Sequence, residues 1–489
     1  MKVLFLIFFS LNALYSKDVC LFNAEVKDIY QEILKLNLDQ ASYRIHTSLK
    51  INENFAFVLL EDYVDFFQLF NFESNTDFEK LIENKKTRLN NIKNSKLEME
   101  WSLFLQGEIL LHWSLIHLKR NENLKAFLCV KESIQKLELC KSKFPNFIYC
   151  NKSLGILHTL IGTIPEEFDW TANLLGFTGN IESGKKELID FIDFSIKQND
   201  IFKLESIAAY SFIISYIENK PKKALQFWQQ NIDIKNRNIL SSMIFTKLLI
   251  RSGEPSKALM EIHTYSTSEK NKLPYLYFIS GLLKLQELNK SCEEDFQNYL
   301  RVFKGNSFKS ETYQKLAWNS LIFGSSEKYP FYMQKCLEVG NAITDEDKQA
   351  IFEARTRILP DVLLLKARLL SDGFNNNRAY NLLIKHLEDY YKGNLKLEYC
   401  YRLGRVCQLL GKNGEALSFY SDAIETDLSM ENYMSCFALL NSGIIQEEYG
   451  DKSVACKFFS RALNLKPGQY SSSLHQKAKS GLFRQSCIK

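Results

Sequence analysis

Two consecutive segments near the C-terminus carry the same residue types at the same spacing, and this tandem constrains the fold more than any other feature. Small and aromatic positions recur 39 residues apart; the pairs are Gly404 and Gly443, Gly411 and Gly450, Ala416 and Ala455, Tyr420 and Phe459, and Ala423 and Ala462. Pro467 closes the second segment. A repeat of this length predicts stacked supersecondary units whose hydrophobic core grows along the stack.

The spacing inside each segment predicts a pair of antiparallel helices. Gly404 and Ala416 are twelve residues apart, and their lack of bulk lets two helix axes approach to about 8–10 Å. Tyr420 follows Ala416 by one helical turn, so its ring fills the gap beside the small residues. Gly411 falls where the first helix must end and predicts a left-handed C-terminal glycine. Pro467 prevents the second helix from continuing.

These marks follow the tetratricopeptide pattern, a helix–turn–helix unit of about 34 residues. The chain has only 20 glycines and 8 prolines in 489 residues, which favours long helices. Small residues at the same kind of position recur upstream, at Ala224, Ala258, Gly281, Ala317, Gly324, Ala367 and Ala379. The sequence therefore predicts an all-α fold, a right-handed superhelical solenoid of tetratricopeptide-like helical hairpins.

We divide the chain into four parts on these patterns. They are a leader (1–16), a divergent N-terminal helical domain with an irregular glycine-rich corner (17–200), a tetratricopeptide-like repeat array (201–470) and a C-terminal capping helix (471–489). In the last part, Gln476, Lys477, Lys479 and Arg484 suit a solvated cap.

The leader is typical of a secretory signal peptide, with Lys2 before an apolar run and a small-residue end at Ala13 or Ser16. A retained N-terminal anchor is the alternative. No later apolar run reaches the about 20 residues that a membrane-spanning helix needs. We therefore expect an exported protein that is periplasmic or associated with the cell envelope.

The N-terminal part alternates apolar and charged segments. Residues 17–50 show one apolar helical stripe, and the aromatic segment 52–72 predicts a core helix because Glu61, Asp62 and Asp65 disfavour contact with anionic lipid. The lysine-rich segment 77–98, which includes Arg88, predicts a solvated helix face or a connector.

The sequence shows no catalytic, cofactor-binding or metal-ligating residues that we can assign. His112 and His117 are five residues apart, whereas a two-histidine zinc site on a helix needs four. No G-x-S-x-G or other nucleophile signature occurs. We predict a protein that is not an enzyme and holds no cofactor, with an enzyme built from distant residues as the alternative.

The 11 cysteines include no C-x-x-C pair. Cys400, Cys407, Cys436 and Cys456 recur at repeat-face positions, where free cysteines act as small buried apolar residues. We therefore predict free thiols, with a disulfide framework as the alternative for an exported chain.

The segment 155–184 is rich in glycine but lacks the order of a phosphate-binding loop, and we predict that Gly184 allows close packing of its helix. Its run of Gly162, Pro165, Trp170, Gly176-Phe177-Thr178-Gly179, Gly184 and Leu188 resembles the tetratricopeptide repeat protein 39 and inclusion-body-clearance family, and exported tetratricopeptide proteins of Bacteroidetes-type bacteria. The resemblance implies an interaction protein without catalytic residues. The leader favours the exported bacterial relatives.

We expect the concave face of the solenoid to bind a protein or peptide partner. Tyr401, Arg405 and Gln408 would face that groove, with Arg368 in the unit before and Glu447 in the unit after. The alternative is that these are solvated helix residues. Arg368 and Arg405 alone do not define a carboxylate-binding set.

The net charge excludes one partner class and leaves others open. A value of +5 over 489 residues gives no electrostatic footprint for nucleic acid. Peripheral association with an outer-membrane complex remains an alternative to a soluble partner.

Overall fold

The computed structural model describes residues 21–51, 54–162, 179–233, 237–339 and 344–487. The regular structure of these residues is entirely helical, as the sequence predicts. The leader and most of the glycine-rich corner (163–178) lie outside them. Among the helices that are described, none is long and apolar enough to cross a membrane.

The first half of the chain forms helices that the turn residues separate. They are α1 (Ala24–Leu34), α2 (Leu38–Leu49), α3 (Ala56–Phe72), α4 (Asn75–Lys93), α5 (Met99–Lys119), α6 (Asn123–Lys143), α7 (Cys150–Ile161), α8 (Ile181–Gln198), α9 (Lys203–Phe212), α10 (Pro221–Asn231), α11 (Ile239–Arg251), α12 (Pro255–His263) and α13 (Thr267–Lys272). A short π-helix, Ile213–Ile217, continues α9. The single stripe predicted for 17–50 divides into α1 and α2 because Leu36 takes φ 56°.

The second half continues in the same way. Its helices are α14 (Tyr275–Gln286), α15 (Cys292–Val302), α16 (Lys309–Ile322), α17 (Tyr329–Glu338), α18 (Asp345–Thr356), α19 (Val362–Asp372), α20 (Asn376–Ile384), α21 (Leu387–Tyr391), α22 (Lys396–Leu409), α23 (Asn413–Thr426), α24 (Tyr433–Glu448), α25 (Lys452–Leu463) and α26 (Ser471–Arg484).

Helices that follow each other along the chain pack most closely, which gives a row of helical hairpins. The pairs are α5 with α6, α7 with α8, α11 with α12, α14 with α15, α16 with α17, α19 with α20, α22 with α23, and α24 with α25. The fold is therefore an all-α solenoid. Its largest hydrophobic core runs from Leu21 to Leu283, through the boundary that we predict at 200.

The close approaches predicted for the tandem are present. A Cβ on Gly404 would lie 2.8 Å from Cδ1 of Tyr420, and one on Gly443 would lie 3.0 Å from Cε1 of Phe459. Gly411 has φ 74°, as expected of a residue that ends a helix. In both units the glycine therefore packs directly against the aromatic ring.

Two further glycines set the crossing of α7 and α8. A Cβ on Gly155 would lie 2.6 Å from the backbone nitrogen of Leu188, and one on Gly184 would lie 2.6 Å from that of Thr159. The two backbones touch there, so the prediction of close packing at Gly184 is confirmed.

The prediction of a solvated face for the lysine-rich segment is wrong at Arg88. Its guanidinium is buried and lies 2.7 Å from Asp65 and 3.4 Å from Asp62. Asp62 also accepts hydrogen bonds from the indole of Trp113, at 3.0 Å, and is 2.7 Å from Nδ1 of His112. Buried charges need partners. The two aspartates of α3 therefore bind polar side chains of α4 and α5 instead of facing water.

Helix α18 lies against α16 and α17, between two hairpins. The carboxylate of Asp347 accepts the backbone N–H groups of Phe308, at 2.8 Å, and Glu311, at 3.0 Å. It thereby caps the first turn of α16. The acidic residues at the start of α18 thus include one with a structural role.

The prediction of free cysteines holds for eight of them and fails for one pair. Cys129, Cys140, Cys150, Cys292, Cys336, Cys400, Cys407 and Cys436 are free and buried. Cys456, predicted to be free, forms a disulfide bond with Cys487. The reason is that α26 folds back on α25 and brings Cys487 to within 6.1 Å of Cys456, measured between Cα atoms.

Candidate partner-binding groove

The first helices of successive hairpins contact one another as well as their own partners. These contacts link α14, α16, α19, α22, α24 and α26, and we call the surface that these helices form the inner wall. Helix α11 joins it where the amine of Lys247 lies 4.9 Å from the ring centre of Tyr275 on α14. In solenoids, such a continuous row of helices provides an extended binding surface.

A cavity of about 800 Å³ lies on the inner wall, where α16, α18, α19, α22 and α24 meet. Its apolar lining includes Trp318, Phe352, Leu365, Tyr433 and Met434. Its polar lining includes Arg368, Arg402, Glu353, Gln349 and Gln469. Apolar walls with a few polar groups are typical of ligand pockets.

Arg368, predicted from the sequence to bind a partner, lies in this cavity. Its guanidinium carbon is 4.8 Å from the ring centre of Trp318, and its Nε is 3.7 Å from Asp372. The indole of Trp318 donates a hydrogen bond of 2.7 Å to Glu353, and Gln314 donates another, of 2.6 Å, to the same carboxylate. The ring is held in place, so Arg368 is oriented before any partner arrives.

Arg402 is a cavity residue that sequence reasoning missed. Its guanidinium makes two hydrogen bonds to Glu398, of 2.9 and 2.7 Å. The four-residue spacing of Glu398 and Arg402 on a predicted helix is the signal that was available. Because Arg402 is already paired, Arg368 is the freer of the two arginines.

Two amide oxygens of the cavity lining are buried and accept no hydrogen bond from the residues described. They are Oε1 of Gln349 and Oε1 of Gln469. Most buried polar atoms in proteins have partners. The hydrogen-bonding capacity of these two oxygens is therefore not met within the described residues.

The three predicted residues on α22 lie beside the cavity rather than in its lining. Tyr401 is buried, and it raises the pKa of Arg405 despite the opposing effect of burial. Gln408 accepts a hydrogen bond of 2.7 Å from the hydroxyl of Tyr420. Asp372 raises the pKa of both Arg368 and Arg405, which places it near both arginines.

Glu447, the fifth predicted residue, is engaged elsewhere. Arg484 donates hydrogen bonds of 2.9 and 2.7 Å to its two oxygens, and Gln485 donates one of 2.8 Å. Arg484, which we predicted to be solvated, thus fastens α26 to α24. The structure does not bring Glu447 together with Arg368.

The inner wall carries further cations that the sequence does not single out as a group. They are Lys247 and Arg251 on α11 and Lys477 on α26. No sequence spacing relates helices so far apart in the chain. They form a group only once the helices are placed along one wall.

The histidines of α5 have protein partners. His112 contacts Asp62, and Nδ1 of His117 lies 2.5 Å from Glu122. In the part of the chain that the structure describes, no group of three or more histidine, cysteine, aspartate or glutamate side chains is arranged to hold a metal ion.

Comparison with known proteins adds little to this geometry. No family model matches the chain, and no curated protein sequence does. Among solved structures, the crystal structure of yeast Tom70 aligns over 94% of this chain and 96% of that chain, with 13% identity and a TM-score of 0.23. The resemblance of the 155–188 segment to particular families stays a prediction.

Proposed function

We propose that this chain is a non-catalytic scaffold that binds an extended peptide segment of a protein partner on its inner wall. The observation that carries the proposal is the cavity of about 800 Å³, in which aromatic side chains lie beside arginines and other polar groups. An extended peptide offers both backbone N–H groups and side chains for such a surface.

The lining suits a peptide better than a small reactive substrate. Glu353, the carboxylate nearest Trp318, is occupied by hydrogen bonds from Trp318, Gln314 and Tyr329. A catalytic acid or base needs to reach the group it acts on. Glu353 instead holds the side chains of Trp318 and Tyr329 in place.

Peptide display tests this proposal directly. Random peptides selected against the full chain should include binders that become about tenfold weaker in the Phe352→Ala and Arg368→Ala variants. Met260→Ala is the matched control, since Met260 is 70% exposed, more than the 46% of Phe352, and lies outside the cavity. Binders that ignore Phe352 and Arg368, or the failure to select any, would overturn the proposal.

We also propose that the protein works outside the cytoplasm, in the periplasm or at the cell envelope. The Cys456–Cys487 disulfide supports this location, because such bonds persist in oxidising compartments. Cell fractionation that leaves the protein in the cytoplasm would contradict it. Attachment to an outer-membrane complex remains a prediction.

A further inference from the structure

Several cations of the inner wall are each held against the face of an aromatic ring. The amine of Lys247 lies 4.9 Å from the ring centre of Tyr275, the guanidinium carbon of Arg251 lies 4.8 Å from that of Tyr216, and the amine of Lys477 lies 5.2 Å from that of Phe437. The face of an aromatic ring attracts the head group of a cation that lies over it. Arg251 and Lys477 are exposed and Lys247 is half-buried, and Arg251 also donates a hydrogen bond of 3.4 Å to Oδ1 of Asn219.

These cations differ from the other charged side chains of the array. Ion pairs to carboxylates are made by Arg237, Lys284, Lys315, Arg402 and Arg484. Within the described residues, Lys247, Arg251, Arg405 and Lys477 make no such pair. We call these four residues the basic cluster.

The cluster is brought together from opposite ends of the array. Burial, and then the charges of Arg405 and Arg251, lower the pKa of Lys477 to about 8. Arg251 belongs to α11 and Lys477 to α26, so charges from different helices of the wall act on Lys477.

Lys477 is exposed to water, yet the surrounding walls desolvate it. Both observations agree with a side chain that projects into an open groove. A ligand can therefore reach Lys477, and Arg251 is exposed as well.

Two acidic side chains face the cluster, Asp372 beside Arg405 and Glu346 beside the two lysines. Burial lowers the pKa of both Lys247 and Lys477, and Glu346, in the first turn of α18, opposes that lowering in each case. It makes no ion pair with either of them in the described residues. Two carboxylates do not balance four cations, and like charges in a partly desolvated groove repel one another.

We propose that the basic cluster of Lys247, Arg251, Arg405 and Lys477 binds the aspartate and glutamate carboxylates of an acidic segment in the partner. This inference rests on the proposed function and specifies the charge of the peptide. Carboxylates would pair with these cations, and the apolar side chains of the segment would enter the neighbouring cavity.

The same wall argues against a nucleic acid as the occupant. Glu311, Glu346 and Glu353 also lie along it, and they would repel a polymer that is charged at every residue. The faces of Tyr216 and Tyr275 are covered by cations, so they are not free to stack on bases. A peptide can place its carboxylates at chosen positions only.

Fluorescence anisotropy with two synthetic peptides tests the inference on the full chain. One labelled decapeptide alternates glutamate with leucine, and the other has glutamine at each glutamate position. We expect the glutamate peptide to bind at least about tenfold more tightly at low salt. Equal binding of the two peptides would overturn the inference.

Charge-neutralising variants locate the site. The double variant Arg251→Gln, Lys477→Gln should bind the glutamate peptide about tenfold less tightly, and Glu346→Gln should bind it more tightly. Lys457→Gln is the control, because Lys457 is exposed on α25. Circular dichroism of each variant checks that the helices are intact, and equal weakening by Lys457→Gln would overturn the inference.

Two further results separate this inference from the proposed function. If displayed peptides depend on Phe352 but carry no excess of acidic residues, the scaffold function stands and the acidic partner is wrong. If single-stranded DNA binds more tightly than the glutamate peptide and competes for the same arginines, the cluster serves another polyanion and the inference is also wrong.

Discussion

The carboxylate of Glu73 accepts the backbone N–H groups of Asn306 and Ser307, each at 3.0 Å, although 233 and 234 residues separate them in the chain. The other oxygen of Glu73 accepts a hydrogen bond of 2.5 Å from Lys119. A Cβ on Gly305 would lie 2.5 Å from the Cβ of Glu73. The end of α3 thus joins the loop before α16, and this contact links the N-terminal helices to the middle of the array.

Glu73→Gln should destabilise the protein by about 1–3 kcal/mol at pH 7, because the buried contact loses its charge. Burial opposes ionisation of Glu73, but Lys119 and Ser307 outweigh it and lower its pKa. A lowered pKa gives stability that is present above the ordinary value of 4.5 and is lost as pH falls through the folded value.

Urea unfolding at pH 7 and pH 3.5 measures this contribution. The wild type should lose more stability than Glu73→Gln between the two pH values. Glu79→Gln, an exposed position on α4, should behave as the wild type. Equal acid sensitivity of wild type and Glu73→Gln would contradict the prediction.

Gly404→Ala should destabilise the array, since the new Cβ would lie 2.8 Å from the buried ring of Tyr420. Overpacking of this kind costs about 1–3 kcal/mol. Gly414→Ala is the matched control because a Cβ there meets nothing within 4 Å. Thermal unfolding should show a loss for the first variant and none for the second.

Binding of the acidic peptide should weaken as pH rises through about 8. Lys477 must be protonated to pair with a carboxylate, and burial with the nearby arginines lowers its pKa to about 8. A peptide carboxylate that binds Lys477 raises the pKa of this lysine again. Peptide binding at pH 8 is therefore accompanied by protonation of Lys477. Anisotropy titrations from pH 6.5 to 9.5 should show this dependence in the wild type and in Lys457→Gln but not in Lys477→Gln.

Cys487→Ser should destabilise the C-terminal hairpin by about 2–4 kcal/mol, the usual contribution of a disulfide. The bond joins residues 31 apart and fastens the end of α26 to α25. Dithiothreitol should lower the urea midpoint of the wild type to that of Cys487→Ser and leave the variant unchanged. A midpoint that reductant does not move in either protein would show that the bond adds no stability.

The sequence predicts the hairpins well because their determinants are local. Gly404 and Tyr420 lie within one repeat, and their spacing alone places them in contact. The partner of Arg88 could not be predicted in this way, since Asp65 lies on another helix and a lysine-rich segment usually faces water. Burial, not composition, decides that Arg88 is paired.

The candidate site was predictable in part for a similar reason. Arg368 and Arg405 occupy equivalent places in neighbouring repeats, so the pattern identifies them. Lys247 and Lys477 come from distant helices, and the link between them is Glu346, which acts on the pKa of both and lies on a third helix. Cys487 was missed because nothing in the sequence shows how far α26 folds back.

The contact between Glu73 and the loop at 306–307 also sets the order in which the protein can be completed. During synthesis, Glu73 leaves the ribosome on the order of 10–50 s before Ser307 at the usual rates of about 5–20 residues per second. Throughout that interval the end of α3 lacks its final neighbours. Contacts of such long sequence separation form slowly, so the nascent N-terminal helices depend on the middle of the array to finish burying this surface.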